Sequence, residues 1–226
     1  MRARLGTRNY WHNPRQWSAL WLLTAAMALM AGCSAGDGSA AAATVAPDSG
    51  EVRSAVFAGG CFWCMEPPFD KLDGVLSTTS GYAGGTLKNP GYQAVTAGGT
   101  GHLESVEVRY DPTRVSFETL LAVYWRNVDP LDPGGQFCDR GESYQTAIFT
   151  MNAQEQAAAE ASKRDIAERL GQPVVTAVLP LEADNFYAAE DYHQDYYRKN
   201  PVRYKFYRSR CGRDSRLQAV WGSPDA

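Results

Sequence analysis

Ser54-Ala-Val-Phe-Ala-Gly-Gly-Cys-Phe-Trp-Cys64 passes from a short apolar run through two glycines into a Cys-x-x-Cys pair. The run reads as a strand, Gly59-Gly60 as a tight turn, and the amphipathic stretch that follows, to about Leu72, as a helix. Cys61 then stands at the helix start. Pro67 and Pro68 fall in the second helical turn, where prolines are expected to kink the helix or delay its beginning.

Further along the chain, Val106, Val108 and Tyr110 alternate with Glu107 and Arg109, the period of a strand with one polar face. Ser116 can cap a helix carrying Leu120, Leu121, Tyr124 and Trp125 on one side. Tyr144 to Thr150 reads as another strand, and Asn152 with Glu155 opens an Ala/Glu-rich helix that stops at Gly171. Val174 to Leu179 is a further strand. Helices and strands alternate without the even spacing of a doubly wound fold, so the expected class is α+β, a two-layer sandwich. Two Gly-rich stretches, 84–102 and 129–143, are long for connections in a compact domain, and their aromatic and acidic content predicts functional loops.

Before the folded unit lies a different kind of sequence. Residues 1–32 hold Arg2, Arg4, Arg8 and Arg15, no acid, and an apolar run from Trp17 to Met30, the layout of an export signal. Met30-Ala-Gly-Cys33 resembles a bacterial lipoprotein cleavage site, with Cys33 as the lipidated residue, and Ser34 resembles the form sorted to the outer membrane. Residues 33–52 are small and polar and read as a flexible tether. The folded domain is expected over 53–226, as a monomer on a lipid anchor in the periplasm.

The chain has 226 residues, 44% hydrophobic and 21% charged, which excludes pervasive disorder and a polytopic membrane protein. Its 22 Lys and Arg stand against 25 Asp and Glu; without the four leader arginines, 18 bases face 25 acids, a net of -7. Nothing in that balance favours nucleic acid as a partner.

The folded unit carries Cys61, Cys64, Cys138 and Cys211. In an exported protein they can form two structural disulfides. They can also bind zinc, with Cys138, Cys211 or His193 completing a set begun by Cys61 and Cys64, or exchange disulfides as a thioredoxin-type pair does. A helix start favours the Cys61 thiolate through free N–H groups and the positive end of the helix. Phe62 and Trp63 beside such a nucleophile can wall a small apolar substrate group.

Gly59-Gly-Cys-Phe-Trp-Cys64, Ser80-Gly-Tyr-Ala-Gly-Gly85, Asn89-Pro-Gly-Tyr92, Gly101-His-Leu-Glu-Ser-Val-Glu-Val108, Asp139-Arg-Gly-Glu-Ser-Tyr144 and Tyr192-His-Gln-Asp-Tyr-Tyr197 resemble, in order, the motifs of the A-type peptide-methionine sulfoxide reductases. The resemblance implies a ferredoxin-like sandwich, a mixed sheet with helices packed on it. It also implies reduction of the S epimer of methionine sulfoxide, free or in proteins, without metal or organic cofactor. By that resemblance Cys61 is the nucleophile, Phe62 and Trp63 hold the substrate methyl, and Glu104 protonates the sulfoxide oxygen. Tyr92 and Tyr144 assist, and Asp139 supports the hydrogen-bonding network. The Cys61 sulfenic acid is then expected to be resolved to a disulfide by Cys64, with Cys211 as the alternative, and a thioredoxin-like periplasmic protein is expected to supply electrons. A general thiol-disulfide oxidoreductase is the competing function. The motifs depart from the commoner pattern in Cys64, where glycine is usual, and in Val128-Asp-Pro, where many relatives have histidine.

Overall fold

The structure, a computed structural model, describes residues 50–222; the leader, Cys33 and the tether up to residue 49 lie outside the described residues. The elements are β1 (Arg53–Gly59), α1 (Phe62–Asp70), β2 (Val75–Ala83), α2 (Tyr92–Ala97), β3 (Leu103–Tyr110), α3 (Phe117–Arg126), β4 (Gly135–Gln136) and β5 (Asp139–Arg140). A 3-10 turn (Glu142–Tyr144) precedes β6 (Thr146–Thr150), α4 (Ala153–Leu170), β7 (Ala177–Pro180), β8 (Phe186–Ala188), α5 (Tyr196–Lys199), α6 (Pro201–Arg210) and α7 (Arg213–Trp221).

Six strands form one sheet in the order β7-β6-β1-β3-β2-β8, antiparallel except for β6 with β7. Its centre, β6-β1-β3-β2, is connected as β1-α1-β2-β3-α3-β6, the split βαβ arrangement of the ferredoxin-like fold. The expected mixed sheet with helices on it is thus found. The parallel pair is joined through α4, whose 18 residues supply the crossover such a pair requires.

β1 is buried on both faces, so its apolar run does not alternate. Ala55 and Phe57 join the larger core, while Val56 and Ala58 join a second cluster with Leu103 and Phe149. Phe57 stacks on Phe69 of α1 and Tyr124 of α3, each 5.2 Å between centroids, and the Tyr124 hydroxyl donates to the Ala58 carbonyl at 2.9 Å. The caps read in the sequence are present: Ser116 accepts from the Thr119 N–H, Asn152 from that of Glu155, and Gly171 ends α4 in the left-handed conformation.

Several boundaries differ from expectation. α1 starts at Phe62 with no delay and carries both prolines inside it, leaving the Trp63 and Cys64 carbonyls without i+4 donors. Tyr144 belongs to the 3-10 turn, so β6 begins at Thr146, and β7 begins at Ala177 rather than Val174. The long stretches are not structureless. The first contains α2 and is held by buried His102, whose Nδ1 accepts from the Gly85 N–H while Nε2 contacts the Leu87 carbonyl at 2.7 Å. The second folds as the β4-β5 hairpin. Of the two disulfides weighed for the folded unit, one is formed, Cys138–Cys211; Cys61 and Cys64 are free.

Candidate active site

The turn between β1 and α1 is shaped by Gly60, which has φ of +76° and lies against Gln136. A Cβ there would come 2.5 Å from the Gln136 Cβ, so both conformation and space require glycine. Cys61 caps α1, and the Cys64 N–H donates to its carbonyl at 3.0 Å. Both thiols are buried, Cys61 at 6% exposure and Cys64 at 1%.

Strand parity delivers the acid. Val106, Val108 and Tyr110 face the helices, and Glu104 has the same parity two residues earlier, opposite Tyr82 of β2. Its side chain is 1% exposed, and its Oε2 accepts the Phe62 N–H at 3.1 Å, directly behind Cys61. Burial pushes the Glu104 carboxyl up to about 8, against the lowering effect of that hydrogen bond, with Asp139 and Cys64 adding repulsion. The carboxyl therefore keeps its proton at neutral pH. Tyr92, at the start of α2, and Tyr144 are coupled to one another through their hydroxyls, and both feel Glu104. Asp139, on β5, is raised by burial and accepts a hydrogen bond from the Tyr207 hydroxyl, which also reaches Cys61.

Trp63 is fixed from three sides. Its Nε1–H donates to His193 Nδ1 at 3.1 Å, its ring stacks on Tyr196 at 3.8 Å, and the Tyr207 ring meets it edge-on at 5.8 Å. Phe62 packs against Tyr82 and His193. The segment 192–197 is placed by Gln194, which exchanges hydrogen bonds with the Ser80 backbone, and by Tyr197, which donates to Asp70. Glu190 joins the two tyrosines of the opposite wall, accepting from the Tyr82 hydroxyl and the Tyr92 N–H.

All seven site residues named from the sequence beside Cys64 converge here: Cys61, Phe62, Trp63, Tyr92, Glu104, Asp139 and Tyr144. Cys211, the alternative resolving thiol, is bonded to Cys138, which leaves Cys64 as the free thiol next to Cys61. The helix start favours the Cys61 thiolate, and its surroundings oppose it. Burial pushes the Cys61 thiol up, Cys64 adds to this, and Glu104 and Asp139 repel charge there. Cys64 is lowered instead, by the hydrogen bond from Cys61 and by Arg213 and Arg208.

Sequence reasoning missed Tyr207 and Arg213. Tyr207 lies one helical turn before Cys211, a spacing that could have placed it near that cysteine; a buried arginine gives no local signal, because arginine is ordinarily exposed. The zinc set does not assemble around Cys61: among the described residues, the donors that come together are Cys138, Asp139 and Cys211, and both of those sulfurs are in the disulfide.

Residues 53–225 match the family model described as peptide methionine sulfoxide reductase. The chain is 50% identical over 186 residues to peptide methionine sulfoxide reductase MsrA 2 of Caulobacter vibrioides, covering 82% of this chain and 92% of that protein. It is 51% identical over 174 residues to MsrA of Halalkalibacterium halodurans, covering 76% and 97%. Among solved structures, methionine sulfoxide reductase A of Corynebacterium diphtheriae aligns with a TM-score of 0.64 at 34% identity, covering 69% of this chain and 79% of that one. Reduced Mxr1 of Saccharomyces cerevisiae aligns with the same score at 28% identity, covering 71% and 92%. With its motifs gathered around one buried dithiol and its whole folded unit matched, the chain belongs to the peptide methionine sulfoxide reductase family.

Proposed function

We propose that this enzyme reduces the S epimer of methionine sulfoxide, free and in proteins, through Cys61. The Cys61 sulfur attacks the sulfoxide sulfur while Glu104 gives its proton to the oxygen, with the Tyr92 and Tyr144 hydroxyls beside it. Cys61 gives up its own proton to solvent as attack proceeds. The oxygen finishes on Cys61 as sulfenic acid, methionine leaves, and Cys61 has lost the two electrons the substrate gained. Phe62 and Trp63 receive the methyl group, and Asp139 with Tyr207 orders the hydrogen bonds at Cys61. Cys64 then forms the disulfide, which a thioredoxin-like dithiol reduces.

The observation that carries this reading is the buried Glu104 carboxyl, 1% exposed, with Oε2 3.1 Å from the Phe62 nitrogen next to the nucleophile, where burial raises it to about 8. A sulfoxide oxygen must be protonated to leave, and thiol-disulfide exchange has no such requirement. Incubation with dithiothreitol and each epimer separately tests it. Methionine should accumulate from the S epimer alone; a general exchanger would leave both epimers unchanged.

The proposal also places the enzyme outside the cytoplasm, as a periplasmic monomer anchored by a lipid on Cys33 and favouring the outer membrane. Its support is the basic, then apolar, then small-residue order of residues 1–32 and the cysteine that follows. Among the described residues no helix is long and apolar enough to cross a membrane. In a bacterial host, labelled palmitate should enter the wild-type chain and not Cys33→Ser; equal labelling of both would dismiss the anchor.

A further inference from the structure

Arg213 is a buried cation in need of an anion. It is 2% exposed, and among the described residues no carboxylate forms a salt bridge with it. Nη2 donates to the Asn127 carbonyl at 2.7 Å, the Gly59 carbonyl at 3.4 Å and Met65 Sδ at 3.1 Å, so it grips the Cys-x-x-Cys turn on both sides. The guanidinium lies 4.4 Å over the Phe137 ring, and Nε has no partner. Buried charges are costly unless an opposite charge compensates them. The titratable groups whose charges act on Cys64 include Cys61 from the turn, Glu104 from β3, Asp139 from β5, Tyr204 and Arg208 from α6 and Arg213 from α7, and Arg213 also acts on Asp139. Burial raises the Glu104 carboxyl to about 8, and Arg208 is engaged by Asp214, to which Nε donates at 2.9 Å. Arg213, which acts on both Asp139 and Cys64 but forms no salt bridge among the described residues, is placed to balance a negative charge on the dithiol.

We propose that Arg213 is a positioning residue of the reductase reaction: it holds the negative charge of the dithiol on Cys64 and thereby sets how fast Cys64 closes the disulfide. This rests on the role given to Cys61 above. In the step concerned, the Cys64 thiolate attacks the sulfur of Cys61 sulfenic acid. The S–S bond forms, the S–O bond breaks, and the oxygen leaves as hydroxide, which takes a proton to become water. Cys64 is oxidised and Cys61 reduced. A thiolate does this and a thiol does not, so a cation that keeps Cys64 ionised acts on resolution more than on oxygen transfer.

The test separates the two steps in the full chain, without reductant, by timing methionine release and the loss of dimedone-reactive Cys61. In Arg213→Gln the sulfenic acid should persist about tenfold longer near pH 6.5, and the gap should close above about pH 9, where the thiol ionises unaided. Methionine release should change much less, and Arg213→Lys should recover most of the resolution rate. Resolution at the wild-type rate, or a loss equal at both pH values, would overturn the proposal. If Arg213→Gln does not fold, the thiolate absorbance of Cys61→Ser decides. Cys64 should ionise below the ordinary thiol value of about 8.5, and ionisation at or above it would equally overturn the proposal. Failure of the underlying reading looks different, since the wild-type chain would then release no methionine from the S epimer.

Discussion

Glu104 is the side chain whose chemistry is most sharply set by its place in the fold. On a solvated strand face it would be an ordinary carboxylate; two residues before Val106 on the core face, it keeps a proton up to about 8. Glu104→Gln should lower kcat for S-epimer reduction by about a hundredfold or more, the usual scale for a lost general acid. Because the protonated form is the active one, oxygen transfer should fall as pH rises through about 8, and this limb should vanish in the Gln variant; stopped-flow turnover across pH checks both. The parity that buries Glu104 was legible in the alternation of Val106, Val108 and Tyr110. Its hydrogen bond to Phe62 was not, because it joins residues 42 apart. Tyr207 and Arg213 escaped for the same reason. Each is ordinary in its own helix and acquires meaning only where α6 and α7 return to the β1-α1 turn.

At the scale of elements, the strand-turn-helix unit 53–70 carries the site and was readable almost whole. The exception is the effect of Pro67 and Pro68, which α1 accommodates because packing outweighs local propensity. Gly60→Ala should cost about 2–4 kcal/mol of stability and displace Cys61, since it combines a positive φ with a 2.5 Å approach to Gln136; urea unfolding together with activity measures it. A second element-level prediction concerns Glu66, on α1, buried against β2 with Ser80 donating to it at 2.9 Å. Burial raises its carboxyl from 4.5 to about 7. Folded chains therefore hold this proton where unfolded chains have released it. The stabilisation is complete below the unfolded value and is lost as pH rises through about 7, a decline of at most about 3 kcal/mol. Glu66→Gln should flatten it, as thermal melts at pH 5 and 8 can show. The helix-like segments 196–210 were the least legible, because their pattern is aromatic and basic rather than periodically apolar.

For the whole molecule, the alternation of elements announced an α+β sandwich, and the six ordered motifs implied the ferredoxin-like version of it. The edge position of β7, the strand β8 and the Cys138–Cys211 link were not announced, since strand pairing and cysteine pairing are set by the closed chain and not by spacing. That closure brings residues from 61 to 213 around one dithiol, with Glu104 and Asp139 acting on Cys61 and Arg213 and Arg208 on Cys64. The most direct measurement is a single turnover of the fully reduced chain with the S epimer and no external reductant, followed by peptide mapping of the product. Wild-type enzyme should release about one methionine per chain in the first turnover and yield a Cys61–Cys64 disulfide, while Cys61→Ser should release none. Methionine formation by Cys61→Ser at the wild-type level would contradict the account.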